Sequence, residues 1–106
     1  MGRPGGRVMH RIHLRGFWDC AVPEPGRVQF SRRFGRPTSR LEQKLFLVIN
    51  APQPVLQVTI NGEPLTMVSS TSRIPISNLL PRNVLAIELT GDERTIPPDV
   101  TIEIED

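Results

Sequence analysis

Eleven prolines and eight glycines are spread along this 106-residue chain at intervals too short for long helices, because each proline removes a backbone donor and each glycine costs helix entropy. No window carries a 3.6-residue apolar stripe beyond two turns. Between the breaks, apolar and polar residues alternate instead, the period of a strand with one buried face. The expected class is all-β.

One stretch sets the register of the rest. Val58 and Ile60 alternate with Gln57 and Thr59, and Asn61-Gly62 then supplies two residues that tolerate the positive φ of a tight hairpin turn, with Leu65 starting the outgoing arm. Upstream, Val8 to Trp18 reads as a first strand. Its even positions Val8, Ile12, Leu14, Gly16 and Trp18 form the core face, which Cys20 continues, with His10 as the polar exception. That parity predicts a buried Trp18 and a buried, unreactive Cys20. A loop at Val22 to Gly26 leads to a second strand in which Val28, Phe30 and Phe34 share a face that Arg32 interrupts. After a loop at Gly35 to Ser39 and a short return at Leu41, Leu45 to Ile49 is apolar on both faces, as a central strand requires. Ser69 to Ser72 reads as a polar bend. Pro75 confines the run from Ile74 to Leu80 to an edge or a strand end. Leu85, Ile87 and Leu89 define a further strand, and Val100, Ile102 and Ile104 the last. Short strands divided by Gly/Pro turns predict an antiparallel β-sandwich or small barrel.

A chain of this length makes one domain, expected over residues 7–106 behind a disordered Gly/Pro-rich lead-in at residues 1–6. A lone Cys20 forms no internal disulfide, and the sequence contains no Asn-X-Ser/Thr acceptor. The longest unbroken apolar run, Leu45 to Ile49, falls far short of the roughly 20 residues that span a bilayer, and no apolar signal segment follows the charged N-terminus. These features predict a soluble, cytoplasmic protein with no membrane association. Charge is uneven: residues 1–44 carry a net of +7 and residues 45–106 a net of −5, together the +2 of the whole chain. Either a basic surface meets an acidic partner, or the two halves meet each other. The second alternative predicts that the first and last strands lie side by side, with Arg11, His13 and Arg15 facing Thr101, Glu103 and Glu105.

Taken in order, Leu14-X-Gly16-X-Trp18, Gly26 to Phe34, Leu45 to Ile49, Val58 to Gly62, Ile74 to Leu80 and Asn83 to Leu89 resemble the galactose-binding-like jelly-roll domain at the N-terminus of family 2 glycoside hydrolases. The resemblance spans roughly residues 12–89, and its most specific part is Val-X-Ile-Asn-Gly followed by Asn-X-Leu-X-Ile. It implies a jelly-roll sandwich and a non-catalytic accessory or binding module with a saccharide ligand. The competing reading is a protein-interaction or assembly module on the same scaffold without a sugar site.

The residues narrow the chemistry. Aromatic sugar platforms need exposed rings, and this chain has no Tyr, one Trp and four Phe, of which Phe17 and Phe46 are the candidates for exposure. His10 and His13 lie three apart on a strand and point to opposite faces, so with Cys20 they make neither a metal site nor a nucleophile pair. Asp92 and Glu93, or Glu103 and Glu105, read as solvated charges instead of a glycosidase pair, and the Asp92 to Asp99 loop lacks an ordered calcium-ligand pattern. No cofactor is expected. The candidate ligand-binding residues are the basic patch Arg33, Arg36, Arg40 and Lys44, adjoining Arg32, suited to phosphate or carboxylate groups. Nucleic acid is not favoured as a partner, because neither a recognition helix nor interleaved exposed aromatics accompany the patch.

Overall fold

Strand periodicity is realised across the chain. A computed structural model describes residues 8–38, 43–66 and 71–105, and among them there are nine strands and no helix: β1 (Val8–His13), β2 (Asp19–Glu24), β3 (Arg27–Gly35), β4 (Lys44–Asn50), β5 (Val55–Ile60), β6 (Glu63–Leu65), β7 (Thr71–Ile76), β8 (Arg82–Thr90) and β9 (Asp99–Glu105). They form two antiparallel sheets, four-stranded in the order β1-β9-β4-β7 and five-stranded in the order β2-β3-β8-β5-β6. The sheets pack as a β-sandwich, with Val28, Phe30, Val58, Leu85, Ile87 and Leu89 of one meeting Leu47, Ile49, Ile74, Val100 and Ile102 of the other. Each fully buried aliphatic side chain of this kind contributes about 1.5–3 kcal/mol. Residues 1–6, Arg40, Leu41 and the start of the expected polar bend lie outside the described residues, and Thr71 and Ser72 belong to β7.

The central hairpin forms as expected. Ile60 pairs with Glu63 across a two-residue loop in which Asn61 has φ 54° and Gly62 φ 83°, the pair of positive angles that matches the twist of the flanking strands. β4 lies inside its sheet between β9 and β7, and β7, which carries Pro75, is an edge strand.

The N-terminal stretch departs from expectation. Residues 8–18 are not one strand: β1 ends at His13, Leu14 donates its N–H to the Val100 carbonyl at 2.9 Å, and the chain crosses to the other sheet through Gly16 (φ 70°) and Phe17 (φ 59°). Two consecutive left-handed residues break the two-residue period, so parity upstream of the crossing does not carry into β2. Leu14 is buried, Trp18 half-buried against Phe30, with ring centroids 6.5 Å apart and planes at 80°, and Ile12 and Cys20 are exposed. The expectation of a buried Cys20 is therefore overturned. β2 is an edge strand whose residues are exposed throughout, and it extends to Glu24 through the segment expected to be a loop.

Arg32 occupies an inward position of β3 yet is half-buried. Its guanidinium lies 5.9 Å from the centroids of both Phe17 and Trp18 and donates to the Arg15 carbonyl at 3.3 Å, so a cation that interrupts an apolar face pins the crossing segment over the sandwich edge.

Candidate functional site

The buried polar residue of the core organises one end of the sandwich. Asn83 continues the inward parity of Leu85, Ile87 and Leu89 in β8 and is 1% exposed. Its Oδ1 accepts from the Leu80 N–H and from Asn61 Nδ2, both at 2.9 Å, while its Nδ2 donates to the Leu80 carbonyl at 2.9 Å and, more weakly, to the Phe34 carbonyl at 3.4 Å. A buried amide with its donors and acceptors engaged carries no desolvation penalty and locks what it touches. Here it fastens the β5–β6 hairpin, the end of β3 and the β7–β8 connection to one another. Asn61 returns the tie, accepting from the Val84 N–H at 2.9 Å, and the Arg36 N–H bonds the Pro81 carbonyl at 3.1 Å.

Between these anchored connections lies a cleft of about 460 Å³. Arg36 and Thr38 approach from the end of β3, Gln43 to Phe46 from the start of β4, and Pro75 to Leu79 from the end of β7. Thr38 Oγ1 and Gln43 Oε1 are 2.7 Å apart. Asn78, one of the lining residues, has φ 58°, a conformation that asparagine tolerates better than most side chains. A neighbouring cleft of about 420 Å³ shares Pro75 to Asn78 and is otherwise lined by Leu80 and by the β5–β6 residues Ile60, Asn61, Glu63 and Leu65.

The expected basic patch is divided. Arg36 and Lys44 line the first cleft together. Arg33 lies on the outer side of β3, opposite Val84 in the ladder and apart from the cleft lining, because its parity is opposite to that of Phe34. Arg40 is outside the described residues. Sequence reasoning missed Gln43, Ser77, Asn78 and the role of Asn83. The signal for Asn83 was a polar residue in phase with three buried aliphatics, and for Ser77-Asn78 a polar pair at the end of a strand closed by proline.

The outer face of the four-stranded sheet carries a charge network. Arg11 stands opposite Glu103 in the β1–β9 ladder and bonds it at 3.1 Å, and His13, opposite Thr101, is 3.1 Å from its hydroxyl. The first and last strands are thus neighbours as expected. Arg15 lies beyond β1, and Glu105 is engaged by Arg73 at 2.7 Å. Arg73 also bonds Glu103 at 2.9 Å and stacks 3.5 Å from the centroid of the half-buried Phe46 ring. The hydrogen bond from Arg73, partly opposed by burial and aided by Arg11, holds the Glu103 carboxyl below the usual carboxylate range. The bond to Glu103 in turn raises Arg73, with Glu105 adding to the effect. Arg73 thus covers one face of the Phe46 ring, which is half-buried instead of exposed.

Among the described residues no group of His, Cys, Asp and Glu side chains gathers to hold a metal ion, and Asp92 instead accepts from the Arg94 N–H at 2.8 Å within its own turn. No helix among them is long and apolar enough to cross a membrane. No protein-family model matches the chain, and no curated protein matches it.

Proposed function

We propose that the chain is a non-catalytic binding module of galactose-binding-like jelly-roll type, with a saccharide as its ligand class, seated in the cleft between the β3–β4 and β7–β8 connections. The observation that carries this reading is the cleft itself: a concave site at a strand end, lined by apolar side chains such as Leu45 and Ile76 and by hydrogen-bonding side chains at Gln43, Ser77 and Asn78, the mixture that small-ligand sites use. The order of motifs from Leu14 to Leu89 supports the fold type, with the Asn61-Gly62 hairpin at its centre.

A second reading, a protein-interaction module, is favoured by a different observation. Phe17 is 89% exposed beside the edge strand β2, where Cys20 and Val22 are exposed too, and aromatic anchors beside an unpaired strand edge suit strand addition by a partner. A glycan array probed with the intact chain, run beside a pull-down, separates the two. Glycan binding lost on Asn78→Ala supports the saccharide module. A partner captured through Phe17, with an array blank for every glycan, replaces it.

A further inference from the structure

We infer that the ligand of this cleft is anionic, a saccharide carrying carboxylate or sulfate groups, an assignment that rests on the saccharide-binding reading above. Arg36 and Lys44 are its charged lining residues. Both are exposed, and neither has an ion-pair partner among the described residues. Arg11, Arg27 and Arg73 are paired, to Glu103, to Glu24 and Glu88, and to Glu103 and Glu105, whereas Arg15, Arg33, Arg82 and Arg94 make no ion pair among the described residues. What sets Arg36 and Lys44 apart is that they line one cleft together. The nearest available acid to Lys44 along the ladder is Glu105, directly opposite, but its carboxylate is held by Arg73 at 2.7 Å.

The neighbouring cleft provides an internal contrast. It shares Pro75, Ile76, Ser77 and Asn78, yet its charged lining residue is Glu63. Among the described residues, the two clefts built on one strand end therefore differ in sign, and the one holding Arg36 and Lys44 presents positive charge without an ion pair. An Arg fork matches a carboxylate or sulfate edge with two parallel N–H donors, and a Lys ammonium adds a second point of attachment. Ser77 and Asn78 in the same lining can bond neutral hydroxyls, so charge and sugar ring would be recognised in one cleft.

The backbone on either side of the cleft is anchored. The Arg36 backbone is bonded to Pro81, and Leu80 to Asn83. Binding then orders the two long side chains on backbone already held, Arg36 by its bond to Pro81 and Lys44 by the β4 ladder, which limits its entropic cost.

The test is isothermal titration of the intact chain with a hexuronate oligosaccharide, the sulfated hexose oligosaccharide, the neutral hexose oligosaccharide of the same linkage and length, and inorganic sulfate. Either acidic saccharide is expected to bind about tenfold or more tightly than the neutral one, a difference of about 1.4 kcal/mol, with an advantage that shrinks as salt is raised. Arg36→Gln and Lys44→Gln should each reduce the acidic ligand toward the neutral level, by a larger factor than any change in the neutral ligand. Arg33→Gln, on the outer side of β3, should change neither. Equal affinity for acidic and neutral saccharides, or loss on Arg33→Gln equal to that on Arg36→Gln, overturns the anionic assignment and leaves the saccharide module standing. Sulfate binding alone, with no response to any saccharide, overturns both.

Discussion

Replacing Asn83 by alanine should destabilise the fold far more than the removal of a small polar side chain at a surface would. Three hydrogen bonds of 2.9 Å end on its amide, from Leu80 N–H, from Asn61 Nδ2 and to the Leu80 carbonyl. At a net of about 0.5–1.5 kcal/mol each, their loss amounts to roughly 3 kcal/mol, before any cost for groups left without a partner. For a domain of this size that loss lowers Tm by roughly 10–20 °C. Urea denaturation followed by the Trp18 fluorescence would read the change in midpoint at constant slope. A double-mutant cycle with Asn61→Gly, which retains the positive φ of the turn, isolates the Asn61–Asn83 bond. A coupling energy of about 0.5–1.5 kcal/mol is expected for it. A total loss below about 1 kcal/mol, or strict additivity in the cycle, would refute the view that Asn83 holds this end of the sandwich together.

Other perturbations probe separate parts of the account. Gly62→Val meets no neighbouring atom but forces a β-branched residue to φ 83°, and should cost about 1–2 kcal/mol; an unchanged Tm would contradict the two-residue turn. Cys20 should react readily with a thiol reagent in the native protein, since it is exposed, and native protection followed by labelling only in denaturant would restore the abandoned parity. Glu103 contributes stability that is fully present above the ordinary glutamate range and is lost as pH falls through its lowered folded-state value. Glu103→Gln should accordingly flatten the acid limb of the stability profile, and an acid limb identical to that of the parent would show the Arg73 and Arg11 bonds to be without effect.

Strand positions were legible wherever alternation ran uninterrupted. Val58 to Ile60, Leu85 to Leu89 and Val100 to Ile104 each keep one buried face over their whole length, Val28, Phe30 and Phe34 are buried on a face that only Arg32 interrupts, and the charge imbalance anticipated the Arg11–Glu103 pair across β1 and β9. The crossing between sheets was not legible. Gly16 offers the needed conformation, but Phe17 at φ 59° is an unusual residue there, and nothing in the alternation of Val8 to Trp18 signals that the chain changes sheets. Cys20 was misplaced for that reason alone. The cleft was half legible: Arg36 and Lys44 stood out as charge, whereas Gln43, Ser77 and Asn78 contribute through an approach of two connections that is fixed by the buried Asn83 and has no local sequence signature.

Mapping backbone amide shifts during titration with an acidic oligosaccharide tests the central claim most directly. Perturbations should concentrate at Arg36, Lys44, Ser77 and Asn78, with Thr59 and Ala86 on the outer face of the other sheet unmoved. Shifts centred instead on Phe17 to Glu24, or an unaltered spectrum at saturating ligand, would contradict the assignment of this cleft as the binding site.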